Sequence, residues 1–145
     1  MEIYSIGFTK KSAAEFFGAL KEHGIRRLLD VRLNNTSQLA GFAKQADLAF
    51  FLKEICGARY EHEPLLAPTQ EMLDEYRKLK GGWPQYEQRF LELMRARQIE
   101  SALRPSYFDD RTVLLCSEST PECCHRRLVL EYLAAHWPQM KIVHL

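Results

Sequence analysis

The stretch Thr112-Val113-Leu114-Leu115-Cys116-Ser117-Glu118-Ser119-Thr120-Pro121-Glu122-Cys123-Cys124-His125-Arg126-Arg127 decides the reading of the fold. Its first part, Thr112 to Cys116, is short, apolar and continuous, the pattern of a strand buried on both faces. A polar loop with a proline follows, and a helix is expected from about Cys124 to His136. A buried strand that passes through a polar loop into a helix is the repeating unit of a parallel sheet.

The same alternation runs outward in both directions. Ile3 to Ile6 reads as a first buried strand, ended by Gly7. Ser12 and Glu15 form a capping-box signature, after which Ala13, Phe16, Phe17 and Leu20 share one helical face and Gly24 stops the helix. Leu28 to Val31 is a second strand. Leu48, Phe51, Leu52 and Ile55 have the i, i+3, i+4, i+7 spacing of a helix, and Tyr60 to Glu63 is a third, more polar strand closed by Pro64. Thr69 caps a helix running to about Lys80, which Gly81-Gly82 breaks. Trp83-Pro84 opens another that carries Tyr86, Phe90, Leu93 and Met94 inward. Lys141 to His144 is a final strand. The expected fold is a small Rossmann-like, three-layer α/β domain spanning residues 1–145. Its mainly parallel sheet has about five strands, with helices on both faces.

Composition narrows the function classes. The 145 residues are 46% hydrophobic and 27% charged, with 20 basic and 19 acidic side chains and a formal net charge of +1. Such a balance gives no global sign of nucleic-acid binding, which leaves only a local basic patch to support it. No targeting segment or membrane-length apolar run is visible, so the expected location is cytoplasmic. The four cysteines, Cys56, Cys116, Cys123 and Cys124, are then read as thiols, ligands or nucleophiles rather than as disulfides.

Three segments follow predicted strands and so belong to the rim where open parallel sheets bind ligands. In the first, Cys116 ends a strand and Cys124 starts a helix. There the helix dipole and neighbouring guanidinium groups lower a thiol pKa. His125 suits a base, and Arg126 or Arg127 suits a phosphate or carboxylate clamp. A small core thiol with structural His125 and Arg126 is the plainer alternative. No phosphatase-type loop is present, because Glu122 stands where that spacing from Cys116 needs arginine. The spacing lacks a CxxC pair, and adjacent Cys123, Cys124 and His125 are expected to point apart on a helix, so neither metal nor cofactor is expected. In the second segment, Asp30-Val31-Arg32 either binds a hydroxyl and an anion or forms an ion pair tying the strand end to its loop. Amides Asn34, Asn35 and Gln38 fit a turn better than a base-reading edge. The third, Gly7 to Lys11 with Thr9, has the outline of an anion-binding turn without any nucleotide fingerprint. His23, His136 and His144 read as surface residues, and His62 as a solvated strand end. Trp83, Tyr86 and Phe90 read as core rather than as a stacking platform.

With those residues in view, the chain resembles the family catalogued as domain of unknown function 488, whose pattern is IGxS/T, then DVR, then CxE…CHR. The counterparts are Ile6-Gly7-Phe8-Thr9, Asp30-Val31-Arg32, and Cys116-Ser117-Glu118 with Cys124-His125-Arg126. The stretches Leu39-Ala40-Gly41-Phe42-Ala43-Lys44 and Leu66-Ala67-Pro68-Thr69 are similar to one branch of it, while Phe8-Thr9 replaces a usual His-Ser. The resemblance implies an α/β fold in which Asp30, Arg32, Cys116, Glu118, Cys124, His125 and Arg126 meet at one rim. It supplies no reaction. The expectation is an enzyme, or a former enzyme, that binds a small anionic or nucleotide-like ligand, with Cys116, Glu118, Cys124 and His125 reactive. Gly7, Thr9, Asp30, Arg32 and Arg126 would then hold the ligand. The competing expectation is a non-catalytic nucleic-acid or protein binding module with structural cysteines.

Overall fold

The structure is a computed structural model that describes residues 1–36, 38–78, 82–118 and 121–145, with the backbone alone at 38–40. Five strands form one sheet: β1 (Glu2–Gly7), β2 (Arg27–Asp30), β3 (Arg59–His62), β4 (Thr112–Cys116) and β5 (Lys141–His144). Their order is β3-β2-β4-β1-β5 and every pairing is parallel. All five expected strands are present, with ends moved by at most a residue or two, the usual uncertainty at element boundaries.

Alternation along β4 builds two cores. Val113 and Leu115 join Tyr4, Ile6 and Leu28 beneath α1 (Ala13–Glu22) and α2 (Gln45–Phe51). Leu114 and Cys116 face the other way, into a core with Ile3, Leu29 and Val31. That core is covered by α3 (Gln70–Lys78), α4 (Trp83–Arg97), α5 (Ile99–Ala102) and α6 (His125–His136). The three layers are those expected of an α/β chain whose crossovers turn one way.

Local signals act where the sequence carries them. The Ser12–Glu15 capping box closes in both directions, at 3.1 and 3.0 Å. Gly24 takes φ +65° just after α1, a conformation that suits glycine. Thr69 Oγ1 accepts from the Met72 N–H at 3.2 Å and caps α3. The expected end of that helix near Lys80 and the break at Gly81 lie outside the described residues, as do Ser37 and the Gln38 amide.

One expected face is corrected. After α2 the chain widens into a π-helical turn, Leu52–Cys56. The extra residue per turn rotates Ile55 off the apolar stripe, leaving it 41% exposed while Leu48 and Leu52 stay buried. No helix among the described residues is long and apolar enough to cross a membrane.

The topology also fixes where a cleft opens. The chains leaving β1 and β2 turn to the α1–α2 face, whereas the chain leaving β4, between them, turns to the α6 face. Such divergence at the carboxyl ends of parallel strands makes a crevice. Its back wall is tight: a Cβ on Gly7 would collide with the Glu118 carbonyl and touch Arg126 Nη1. Gly7→Ala is therefore expected to lower unfolding stability by about 1–3 kcal/mol, the range for forced overpacking. Urea unfolding of the two proteins checks this, and equal midpoints would show that the loop yields freely.

Candidate active site

The crevice is a cleft of about 380 Å³, within the size range of small-molecule sites. Cys116, Cys124 and His125 are buried and line it, forming its floor. Cys116 reaches it because it follows Leu114 by two residues on the same face of β4. Cys124 reaches it as the N-cap of α6, with extended φ −137° and ψ 137°, so it does not share the helical fan of the residues after it. The expectation that Cys124 and His125 diverge is thereby corrected. The sulfurs of Cys116 and Cys124 and a ring nitrogen of His125 all lie within 4.8 Å of one another.

Hydrogen bonds orient this group. His125 Nε2 lies 2.7 Å from the Val31 carbonyl, which can only accept, so Nε2 carries a hydrogen. Nδ1 is left facing Cys116 Sγ at 3.4 Å, and the Phe90 ring packs against the imidazole at 5.4 Å. One proton is thus held between a thiol and an imidazole whose far side is fixed by a third group. The S–H of Cys124 pulls the Cys116 pKa below its ordinary value. The Ser117 backbone N–H and the Arg126 and Arg32 charges assist, against burial. Cys124 moves the opposite way, first because it donates to Cys116 and then because it is buried. The two thiols are thus pushed in opposite directions.

Arg126 is fully buried behind the floor. Its Nε donates to Ser5 Oγ at 3.2 Å and Nη1 to the Glu118 carbonyl at 2.8 Å, while Nη2 has no hydrogen-bond partner among the described residues. It does not line the cleft. Gly7 and Thr9 lie outside the cleft as well: Thr9 Oγ1 and N–H both reach the Ser117 carbonyl, at 2.5 and 3.1 Å, bracing the loop from behind.

Asp30 takes the ion-pair alternative. It accepts from Arg32 Nε and Nη2, both at 2.9 Å, and from Tyr60 Oη at 2.5 Å. Burial, then the bond to Asp30, pushes the Tyr60 hydroxyl pKa up, so it stays a donor. Arg32 also donates to the Ala43 carbonyl at 2.6 Å, yet still lines the cleft with Asn34. His62 is drawn into the rim, its Nε2 lying 2.8 Å from the Arg32 carbonyl. Of the nine expected site residues, Arg32, Cys116, Glu118, Cys124 and His125 line the cleft; Asp30, Arg126, Gly7 and Thr9 support it.

The sequence reading missed the outer wall. Leu73, Tyr76 and Arg77 of α3 and Trp83 and Tyr86 of α4 line the cleft, with Cys123 at its edge. Trp83 and Tyr86 stack at 5.2 Å, so the helical spacing that marked them as core also describes this wall. Their signal was the concentration of aromatics on either side of one loop. Glu118 lines the cleft, and its carbonyl accepts from Arg126.

Comparison with protein families matches residues 12–133 to the family described as Domain of unknown function DUF488. The chain belongs to that family. No curated protein and no solved structure matches it. The match covers Asp30-Val31-Arg32, β4 and all but the last three residues of α6 in this DUF488 domain, and begins after Gly7 and Thr9.

The two thiols and His125 form the cluster of soft donors found among the described residues, with Val31 as the outer partner that imidazole ligands commonly have. Zinc on this set would take its remaining ligand from the cleft.

Two outcomes are expected. Asp30→Asn leaves the Arg32 guanidinium buried without a counter-charge, and chemical unfolding should register a loss of about 3–5 kcal/mol. A loss below about 1 kcal/mol would place the pair among weak surface pairs. In a Cys56→Ser, Cys123→Ser background, iodoacetamide should alkylate Cys116 with an apparent pKa below the roughly 8.5 of free cysteine. A lowered pKa keeps thiolate populated where a free thiol is protonated, so the rate levels off at lower pH. Cys124→Ala removes the S–H donor and should move that midpoint upward. An unmoved midpoint would show that Cys124 does not set it.

Proposed function

We propose that this chain is an enzyme whose nucleophile is the Cys116 thiolate and whose substrate is a small anionic molecule held in the cleft. The observation that carries this reading is the chain Cys116–His125–Val31 at the floor of an open cleft, with the Cys124 sulfur within 4.8 Å of it. A nucleophile within hydrogen-bond reach of a base, and a base fixed by a third group, is the general arrangement of nucleophilic catalysis. A purely structural cysteine has no need of a second thiol that lowers its pKa, nor of guanidinium groups acting on it.

The residues take distinct roles in this reading. Cys116 attacks, and His125 Nδ1 keeps the proton and returns it to the leaving group. The Ser117 N–H and the Arg126 charge stabilise the sulfur anion. Arg32, Asn34 and Arg77 line the mouth, where the exposed Arg77 guanidinium favours a carboxylate or phosphate and Arg32 is balanced by Asp30. Tyr76, Trp83 and Tyr86 offer flat apolar surface to the rest of the ligand. Burial, more than the nearby thiols, raises the Tyr86 hydroxyl pKa and keeps it a donor there.

Anion preference is testable without the natural substrate. Cys116 alkylation by iodoacetate is compared with alkylation by iodoacetamide, which differ in charge. Arg77 is exposed, and Arg77→Gln should lower the iodoacetate-to-iodoacetamide rate ratio by about two- to fivefold at low salt, the scale of one screened charge. High salt should remove the difference. A ratio indifferent to both Arg77 and salt would mean that the cleft does not select anions.

A further inference from the structure

Cys124 has a place in the site that a single-nucleophile mechanism does not need. Both cysteine sulfurs are buried in the floor of the same cleft, within 4.8 Å of each other and of a His125 ring nitrogen. Cys116 sits at the end of β4 and Cys124 at the turn into α6, and a bond between them requires the sulfurs to approach to roughly 2.05 Å. Cys56 is packed elsewhere, its Sγ 3.7 Å from the Phe17 carbonyl, and Cys123 is exposed at the cleft edge.

We propose that Cys116 and Cys124 are the attacking and resolving thiols of a thiol–disulfide exchange site whose substrates are small, negatively charged disulfides. This rests on the reading of Cys116 as the nucleophile and adds a second function to its neighbour.

The steps balance. The Cys116 thiolate attacks one sulfur of R–S–S–R, and the substrate S–S bond breaks. The first RS⁻ leaves as RSH with the proton that His125 shared with Cys116, and Cys116–S–S–R remains. Cys124 then passes its proton to the vacated Nδ1 and attacks Cys116 Sγ. The second RS⁻ takes that proton, leaving a Cys116–Cys124 disulfide and a second RSH. Two electrons move from the dithiol to the substrate. A further thiol reductant, reacting in the reverse sense, regenerates the site.

The order of events follows from the geometry: Cys116 Sγ faces His125 Nδ1 at 3.4 Å, and the Cys124 sulfur lies within 4.8 Å of Cys116 Sγ and of a His125 ring nitrogen, in reach of the adduct once the first step has formed it. The cleft mouth supplies the substrate preference, since the exposed Arg77 faces whatever the R group carries.

The test uses the full chain with Cys56→Ser and Cys123→Ser, and one equivalent of dithiobis-nitrobenzoate, a disulfide with a carboxylate on each half. The expected result is two thionitrobenzoates released per protein, with a product two hydrogens lighter than the reduced chain and no adduct. Adding Cys124→Ala should give one thionitrobenzoate and a stable mixed disulfide on Cys116. A stable adduct on Cys116 with Cys124 present overturns the resolving role. If that adduct still forms faster than on a free thiol, the nucleophile reading stands. If Cys116 reacts no faster than a free thiol, both fall. Stoichiometric zinc held by the two thiols in the protein as isolated also overturns the exchange site.

Discussion

A guanidinium with no exposed surface sits where β1, β4 and α6 converge, and the organisation of the site depends on it. Arg126 reaches Ser5 on one strand and the Glu118 carbonyl in the loop after another, so it ties the sheet to the segment that carries the thiols. Neither partner is a carboxylate. Burying a cation without a counter-charge costs several kcal/mol, and the Arg126 charge is among the influences that lower the Cys116 pKa. The absent Cβ of Gly7 belongs to the same arrangement, because only a bare backbone leaves room for the Glu118 carbonyl and Arg126 together.

The fold was legible because its signals are local. Buried β-branched runs mark strands, and the capping box at Ser12, Thr69 and Pro84 mark helix starts within a few residues of where they act. The floor of the site was legible for a related reason: β4 and α6 are joined by one short loop, so Cys116, Cys124 and His125 were already close in sequence. What could not be read were the long-range partners. The Val31 carbonyl that fixes His125 is a backbone atom far away in the chain and has no residue-type signature. The sequence left two readings open for Asp30 and Arg126, because a charged residue at a strand or helix end looks the same whether it faces ligand or a neighbouring side chain. Only strand order separates the cases: alternation turns Asp30 away from Cys116, toward Tyr60 and the α2 side.

The cleft draws its two sides from different parts of the chain. The floor comes from β4 and the start of α6, with Arg32 from the end of β2. The aromatic wall comes from α3 and α4, the insertion between β3 and β4. The two sides meet at Phe90, which belongs to α4 and packs against the His125 ring, so the insertion that builds the aromatic wall also touches the floor.

The central position of β4 has a consequence for how the chain comes to be folded. β1 and β2 are consecutive in sequence yet never touch, because β4 lies between them. Until residues near 112 are available, β2 can pair only with β3, and β1 has no strand beside it. Closing such distant pairings is slow, since chain entropy is lost before the contacts form. The same delay governs the cleft: Cys116 meets His125, and His125 the Val31 carbonyl, only once β4 has docked between β1 and β2, so a partly folded chain lacks that arrangement.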